Sequence, residues 1–414
     1  MLTARRTLTI GVAARSREWW VRPPAWVVTG IVVLAYALWL GAALRHASPQ
    51  DFIHLGRILV NKSQASAAIS SRAASYRYDG DIGFDGQYAY FLAVDPLNAP
   101  SYMDSPAYRY TRILYPMAAR ALALGQPDLV PASLIFVNLV MIGVGTAALA
   151  AWLRRRGTSA WYAAVYAFYP GVLITLQRDT TEVMAYGLVA VAVYAFDFAR
   201  RGLLWSAILF ALAILTRETA AIFAIGYAVA VVLSGTGSWR ERLRQNWSRA
   251  ALFVAIWALP IGFWKIFLRW WLGSFGLDAH IEHLPFAGIA SWYPWVPGQV
   301  EEVRIVVIPA VLCGIAAAWA IIRGIRRVET WLLLANVVVL VVLLERPAFN
   351  DISSSGRITI GVVLAAVLSL PYLGVRLRAW IWAAAVLWLT PMLFWFALPT
   401  ARAYLAAIKH RLPG

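Results

Sequence analysis

The sequence predicts an all-α membrane protein whose helices cross the bilayer many times. Of its 414 residues, 61% are hydrophobic and only 14% are charged, which leaves too little charge to cover the surface of a soluble globule. The mean hydropathy is +0.66. Long apolar stretches also recur along the chain, and about 17 to 25 such residues are what a helix needs to cross the hydrocarbon. Together these features exclude a soluble enzyme or binding module.

Hydrophobic windows divide the chain into about eleven predicted spans. The first follows a basic leader, residues 1–24, and it is longer than the apolar core of a signal peptide, so we expect a retained anchor. A single transmembrane domain of residues 25–398 then precedes a basic tail of residues 399–414. The predicted spans are residues 25–46, 130–152, 160–177, 182–199, 203–216, 219–234, 250–272, 304–322, 329–344, 358–374 and 379–398.

The arginines predict the orientation of these spans. If the leader is cytoplasmic, every short arginine-rich connection falls on the same side, as the positive-inside rule requires. Sixteen of the 20 acidic residues then lie at or beyond the outer ends of helices. The net charge of +17 is scattered over span ends, so we expect no nucleic-acid partner. The basic connections are 154–156, 200–201, 240–244, 323–327 and 376–378, and the tail is a misfit because it would be basic and outside.

The outer face consists mainly of two loops, residues 48–129 and residues 273–303. The first is too long to lack secondary structure in a compact protein, so we expect short amphipathic helices along the membrane surface at 53–69 and 111–125. In the second of these helices, four apolar residues should share one side, with two arginines opposite. The apolar residues are Ile113, Met117, Leu122 and Leu124, and the arginines are Arg112 and Arg120.

The first outer loop contains the candidate catalytic residue, Asp85, in the stretch YDGDIGFDGQY. Its glycines allow sharp turns, and its aromatic residues are typical of a sugar site. An apolar surrounding would raise the pKa of Asp85 toward that of a working general base. We take Asp79, Asp81, Gln87 and Tyr88 as substrate contacts. The alternative is an ordinary polar turn held by local hydrogen bonds.

Two further outer turns carry arginines that could bind a donor phosphate. In RDTTE, Arg178 has Asp179 as its nearest partner, and Glu182 is a candidate substrate contact; the two acids could instead cap the next helix. In TRET, Arg217 and Glu218 lie between short apolar runs, where charges are costly. Arg217 is therefore a candidate phosphate ligand and Glu218 a substrate contact, unless the two simply pair with each other.

The third arginine turn is SSSGR, where Ser355 and Arg357 precede an apolar run and could form a phosphate cradle; the alternative is a Ser-capped loop. His280, Glu282 and His283 lie within four residues in the second outer loop. The two histidines could contact substrate or hold a divalent metal, although no third ligand is nearby. The sequence predicts no certain cofactor.

The chain resembles the GT-C glycosyltransferases in its many helices, in the acidic residue of its first long outer loop and in the surface helices of that loop. More narrowly, six segments in this order resemble a bacterial family of integral membrane proteins for cell-surface glycopolymer formation. The resemblance implies a polyprenyl-phosphate sugar donor, a cell-envelope glycan or lipid acceptor, and Asp85 as the base of an inverting transfer at the periplasmic side of the inner membrane, with membrane lipid around the site. The segments are FDGQYAYFLAVDP, YRYTRILYP, FYPGVLITLQRDTTE, LTRETA, LPFAGI and SSSGR.

Two other classes of protein have sequences of this kind. A transporter or flippase of a lipid-linked glycan also has many helices and buried charges, but such proteins place their ionisable residues near the bilayer midplane and often contain inverted repeats. A non-catalytic scaffold for envelope assembly would have no cavity joining Asp85 to the arginines. The depth of the charges and the presence of such a cavity therefore separate the three classes.

Overall fold

The computed structural model describes residues 23–62, 67–277 and 281–409, and within these ranges every regular element is helical. The all-α prediction is therefore confirmed. Residues 1–22 and His280 lie outside the described residues. The only β-type pairings among the described residues are two isolated bridges between loops.

Six helical stretches of the described chain are long and apolar enough to cross a membrane. The protein is therefore membrane-embedded, as its composition predicts. The stretches are Ala25–Ala43, Pro127–Arg155, Trp239–Leu272, Pro297–Ile322, Ile352–Tyr372 and Val375–Ala406.

The other five predicted spans coincide with shorter or broken helices, so the count of about eleven is not confirmed. Residues 160–177 do not form one helix, because Pro170 lacks the N–H that would continue the hydrogen-bond ladder. The helix from Glu182 to Phe198 has only 17 residues. The remaining apolar helices are Gly202–Thr216, Glu218–Val232 and Val328–Val342.

We number the α-helices in chain order. The first eleven are α1 (Ala25–Ala43), α2 (Arg57–Lys62), α3 (Ala67–Ala73), α4 (Gly86–Val94), α5 (Pro106–Tyr110), α6 (Leu114–Leu122), α7 (Val130–Arg155), α8 (Ala163–Ala167), α9 (Pro170–Gln177), α10 (Glu182–Phe198) and α11 (Gly202–Thr216). The others are α12 (Ala221–Val232), α13 (Trp239–Leu272), α14 (Ala287–Ala290), α15 (Pro297–Glu302), α16 (Ile308–Ile322), α17 (Val328–Val337), α18 (Ile352–Ile358), α19 (Ile360–Ser369), α20 (Val375–Met392) and α21 (Leu398–Lys409).

The centre of the bundle is formed by α10, which packs against α7 and α11, and by α19, which is buried along its whole length. In contrast, α13 lies at the edge, and only a few of its apolar side chains are buried. Helices of a membrane protein can leave such faces to lipid. A turn of π-helix joins α20 to α21, so the segment from Leu398 to Lys409 continues the last helix instead of forming a separate tail.

The first outer loop is helical, as predicted, and contains α2 to α6. The predicted apolar side of its last helix does not pack against the protein. In α6 the buried residues are Tyr115, Pro116 and Ala119, whereas Leu122 and Leu124 are exposed. The reason is that α6 packs on α7 through Tyr115, whose hydroxyl donates a 3.0 Å hydrogen bond to a carbonyl of that helix.

Candidate active site

The loop before the candidate catalytic aspartate is held by backbone hydrogen bonds to residues 54–58. The Asp79 N–H donates to the Leu55 carbonyl at 2.8 Å. Gly83 has a φ of +67°, and a Cβ at this position would lie only 2.4 Å from the Gly56 nitrogen. Only glycine fits both the left-handed backbone and this close approach, so the spacing of the glycines fixes the path of the loop.

Helix α4 begins immediately after Asp85. A Cβ on Gly86 would lie 2.1 Å from the Arg178 carbonyl oxygen, so the first turn of α4 packs directly on the next outer turn. The Gln87 side chain accepts a hydrogen bond from the Gly56 N–H at 3.0 Å and donates one to a loop carbonyl at 2.9 Å. Its amide therefore positions the loop, in contrast to the predicted substrate contact.

Asp85 forms ion pairs with two arginines from distant segments. Arg109 of α5 donates to Oδ1 at 3.0 Å, and Arg357 of α18 donates to Oδ2 at 2.9 Å. Burial by itself raises the pKa of Asp85, but the two guanidinium groups outweigh it and hold the pKa well below its ordinary value. The expectation of a raised pKa is therefore wrong, because the sequence does not reveal these two partners.

Two glutamates form further ion pairs with arginines near Asp85. Glu182, which is fully buried, accepts from Arg217 at 2.7 Å and from Arg357 at 3.2 Å. Glu218 accepts from Arg112 at 2.5 and 3.0 Å. Arg217 and Glu218 therefore do not pair with each other; Arg217 pairs with Glu182, and Glu218 pairs with Arg112. These bonds hold the guanidinium groups in fixed orientations.

A narrow cleft joins Asp85 to four arginines. Its volume is about 30 Å³, room for about two water molecules. One wall is the Tyr88 ring, whose centroid is 3.9 Å from the Arg109 guanidinium carbon. Because a sugar phosphate is far larger than the cleft, its binding requires the ion pairs to separate. The ionisable Asp and Arg residues that line the cleft are Asp85, Arg109, Arg112, Asp179, Arg217 and Arg357.

Asp179 is the least expected member of this set. It is completely buried, has a φ of +45°, and neither carboxylate oxygen meets a hydrogen-bond partner among the described residues. Burial raises its pKa well above the ordinary value, so we treat it as protonated. The Nε of Arg217, on the same cleft, likewise donates to no described residue. The predicted pairing of Asp179 with Arg178 and its role as a helix cap are both wrong.

Arg178 lies outside the cleft. Its guanidinium carbon is 3.6 Å from the centroid of the Phe84 ring, and it donates to the Ser353 hydroxyl at 2.6 Å. Of the three arginines predicted to bind phosphate, Arg217 and Arg357 therefore converge and Arg178 does not. The two arginines that sequence reasoning missed are those of the YRYTR motif. Their signal is an alternation of arginine with tyrosine; the predicted surface helix accounts for Arg112 alone, as part of its polar side.

The predicted phosphate cradle at SSSGR is also wrong. These residues lie inside α18, whose N-terminus is capped by Asp351 through a 3.0 Å hydrogen bond from the Ser354 N–H. Ser355 is buried, and its hydroxyl donates to the Asp351 carbonyl at 3.5 Å. A carboxylate of the chain therefore already caps the amide end of this helix, where the sequence placed the phosphate.

The two acids that precede Asp85 face other partners. Asp79 accepts from His54 at 2.6 Å, and Asp81 lies 3.7 Å from Arg57. Both carboxylates are at least half exposed and lie outside the lining of the cleft. They therefore brace the loop instead of contacting a ligand in this cleft.

His283, the histidine of the second outer loop that the structure describes, does not belong to the site. His283 is exposed and lies outside the cleft lining, while His280 is outside the described residues. Within residues 23–62, 67–277 and 281–409, no group of three or more His, Cys, Asp or Glu side chains is placed to hold a metal ion. The divalent metal therefore gains no support from the geometry.

Comparison with protein-family models, with curated proteins and with solved structures finds no match for this chain. A function must therefore be argued from the arrangement of its own residues. The most informative observation is that the Asp85 carboxylate is bound by two arginines within a cleft lined by four arginines.

Proposed function

We propose that the protein is an inverting glycosyltransferase. It transfers a sugar from a polyprenyl-phosphate donor to a cell-envelope glycan or lipid acceptor at the outer side of a bacterial inner membrane, with its N-terminus cytoplasmic. The cleft at Asp85 carries this proposal, because it combines a carboxylate with four guanidinium groups at the ends of apolar helices. A lipid-linked donor would present its phosphate and sugar at this depth while its tail stays in the hydrocarbon.

The reaction requires one base and stabilisation of one leaving group. Asp85 takes the proton of the acceptor hydroxyl, and the oxygen forms a bond to the anomeric carbon of the sugar. The bond from that carbon to the phosphate oxygen breaks on the opposite face, and its electron pair stays on the phosphate. Arg217 and Arg357 stabilise the negative charge that develops there, so a second nucleophilic carboxylate is unnecessary.

The low pKa of Asp85 fixes the order of events in this mechanism. While Arg109 and Arg357 are bound to it, Asp85 is a weak base. A donor phosphate competes for the same guanidinium groups, and every bond that they transfer to the phosphate returns basicity to Asp85. Donor binding must therefore precede proton transfer, and it must also widen the cleft.

A transporter or flippase remains the rival class, and the depth of the charges favours the enzyme. Helix α10 begins at Glu182, in the Asp85 cluster, and carries Asp197 near its other end, about 22 Å away along the helix axis. The ionisable residues of α10 thus lie at its two ends, whereas transporters place theirs near the midplane. The scaffold is disfavoured because it would need no cavity linking Asp85 to arginines.

The proposal is tested with three arginine variants of the purified full chain, assayed by release of polyprenyl phosphate from a panel of polyprenyl-phosphate hexoses. Arg217→Ala should raise the barrier by about 2 to 4 kcal/mol, and Arg217→Lys should restore only part of the rate. Arg178→Ala is the matched control, because Arg178 is partly buried yet lies outside the cleft. Full specific activity in a less stable Arg217→Ala protein would move the phosphate site away from Arg217.

A further inference from the structure

A second cavity lies at the opposite end of the helices from Asp85. It has a volume of about 920 Å³ and is bounded by the end of α10, by α12 and by α17. Its floor contains an ion pair between Arg156 and Asp197 at 2.5 Å, and Trp152 Nε1 also donates to this aspartate at 2.6 Å. The cavity shares no lining residue with the cleft at Asp85, so it is a separate feature of the fold.

The carboxylates that line this cavity are paired or buried, whereas two of its arginines are exposed. Asp197 is paired as described, and Glu329 is only 3% exposed and accepts from the Tyr372 hydroxyl at 3.4 Å. In contrast, Arg326 and Arg327 are exposed at the rim. Arg242 also lines the cavity and donates to backbone carbonyls, so it retains its full positive charge. The accessible surface of the cavity is therefore cationic.

An apolar groove continues from this cationic end. A cavity of about 700 Å³ shares three wall residues at or just after α12 with it, and its other wall is the face of α13 from Trp247 to Leu259. Every side chain that lines this groove is hydrophobic. Two of them, Trp247 and Leu259, are 64% and 56% exposed. The shared residues are Ile225, Val229 and Leu233.

We propose that this groove binds one anionic phospholipid of the inner leaflet, with its phosphate at Arg242, Arg326 and Arg327 and an acyl chain between α12 and α13. A cationic pocket between membrane helices suits a phosphate headgroup, and the apolar groove suits the chain attached to it. The leader, residues 1–22, is the other available occupant within the chain, but its five arginines and one glutamate have the wrong sign. The site is independent of any activity at Asp85.

The experiment is native mass spectrometry of the full chain purified in detergent and titrated with phosphatidylglycerol, with phosphatidylcholine or with glycerol 3-phosphate. We expect one phosphatidylglycerol to bind with preference over phosphatidylcholine, and no adduct with glycerol 3-phosphate. The double variant Arg326→Gln, Arg327→Gln should weaken phosphatidylglycerol binding about 30-fold, since each surface arginine contributes roughly fivefold.

The matched control is the double variant Arg200→Gln, Arg201→Gln, which removes the same charge from two exposed arginines at the same end of the bundle but outside the groove. It should bind phosphatidylglycerol as the unmodified protein does. The proposal is overturned by equal binding of both lipids, or by equal losses in the two double variants. It is also overturned by a glycerol 3-phosphate adduct of similar affinity, which would indicate a small-anion site. Dimers that dissociate only in the Arg326→Gln, Arg327→Gln protein would instead assign the groove to a second copy of the chain.

Discussion

The two aspartates of the cleft have opposite electrostatic environments. Asp85 is bound by two guanidinium groups and stays ionised, whereas Asp179 is buried without a partner among the described residues and stays protonated. The same chemical group therefore has a lowered pKa at one position and a raised pKa at the other. The difference follows from whether burial is accompanied by a compensating charge.

This contrast predicts opposite stability effects for Asp85→Asn and Asp179→Asn. A lowered folded-state pKa stabilises the folded protein above the ordinary aspartate pKa of about 3.9, so Asp85→Asn should cost about 1 to 3 kcal/mol at neutral pH, and less as pH falls below 4. A raised pKa destabilises the folded unmodified protein above the same pH. Asp179→Asn removes this effect, so its stability relative to the unmodified protein should increase as pH rises. Thermal unfolding of the three proteins between about pH 3 and 8 measures both effects.

Asp81→Asn is the control for this experiment, because Asp81 is 70% exposed and weakly paired. It should change the melting temperature little at any pH. A melting temperature of Asp179→Asn below that of the unmodified protein at neutral pH would mean that Asp179 is ionised and bonded. In that case Asp179 would add a negative charge to the cleft.

Sequence reasoning found Asp85, Arg217 and Arg357 because charged residues beside apolar runs are costly and need a reason. It could not find their partners. Asp85 is separated along the chain from Arg109 by 24 residues and from Arg357 by 272. Such pairing depends on how α5 and α18 pack, and no local pattern encodes that packing.

At the scale of elements, hydrophobic runs gave helix bounds well where a helix faces a uniform environment. The predicted spans 130–152 and 182–199 correspond to α7 and α10 within a few residues. Hydrophobic runs predicted the helix bounds wrongly where a single residue determines them. Pro170 breaks one predicted span, and Asp351 starts α18 before the serines, so that SSSGR lies within a helix. Both residues act through individual backbone hydrogen bonds, which an average over a window does not detect.

The junction between α4 and the outer turn at Arg178 yields a prediction at this scale. Gly86→Ala places a methyl group 2.1 Å from the Arg178 carbonyl oxygen, so the start of α4 must move and carry Asp85 with it. We expect sugar transfer to fall at least tenfold, since such displacements of about 1 Å are costly in catalysis. Release of polyprenyl phosphate by the purified variant is the measurement.

Gly30→Ala is the matched control, because a Cβ on Gly30 in α1 meets no atom within 4 Å. It should retain full activity, as a helical alanine is no worse than glycine there. Equal activity in Gly86→Ala and Gly30→Ala would show that the position of α4 does not control the site.

At the scale of the whole molecule, the charge pattern of the chain predicts two chemically different faces. The cluster at Asp85 lies at one end of α10, and the cavity with Arg326 and Arg327 lies at the other. The sequence could predict this asymmetry because it depends only on alternation and composition. The exact number of spans depends on short helices such as α11 and α12, whose length alone does not decide whether they cross.

Single-cysteine labelling tests this orientation. The one native cysteine, Cys313, is buried and can be replaced by serine. In that background, His283→Cys and Asp81→Cys should react with a membrane-impermeant maleimide from the periplasmic side. Arg201→Cys should react only after the membrane is opened, because it lies at the other end of the helices. The reverse pattern would place the Asp85 cleft in the cytoplasm and exclude a donor presented from outside.

The central claim is that Asp85 is the base of an inverting sugar transfer. The most direct measurement is incubation of the purified full chain with polyprenyl-phosphate hexoses and envelope glycolipid acceptors, followed by analysis of the product linkage. We predict a product with the opposite anomeric configuration to the donor, and a rate that falls about 10²- to 10⁴-fold in a folded Asp85→Asn protein. A product with retained configuration, or near-normal transfer by Asp85→Asn, would contradict the account.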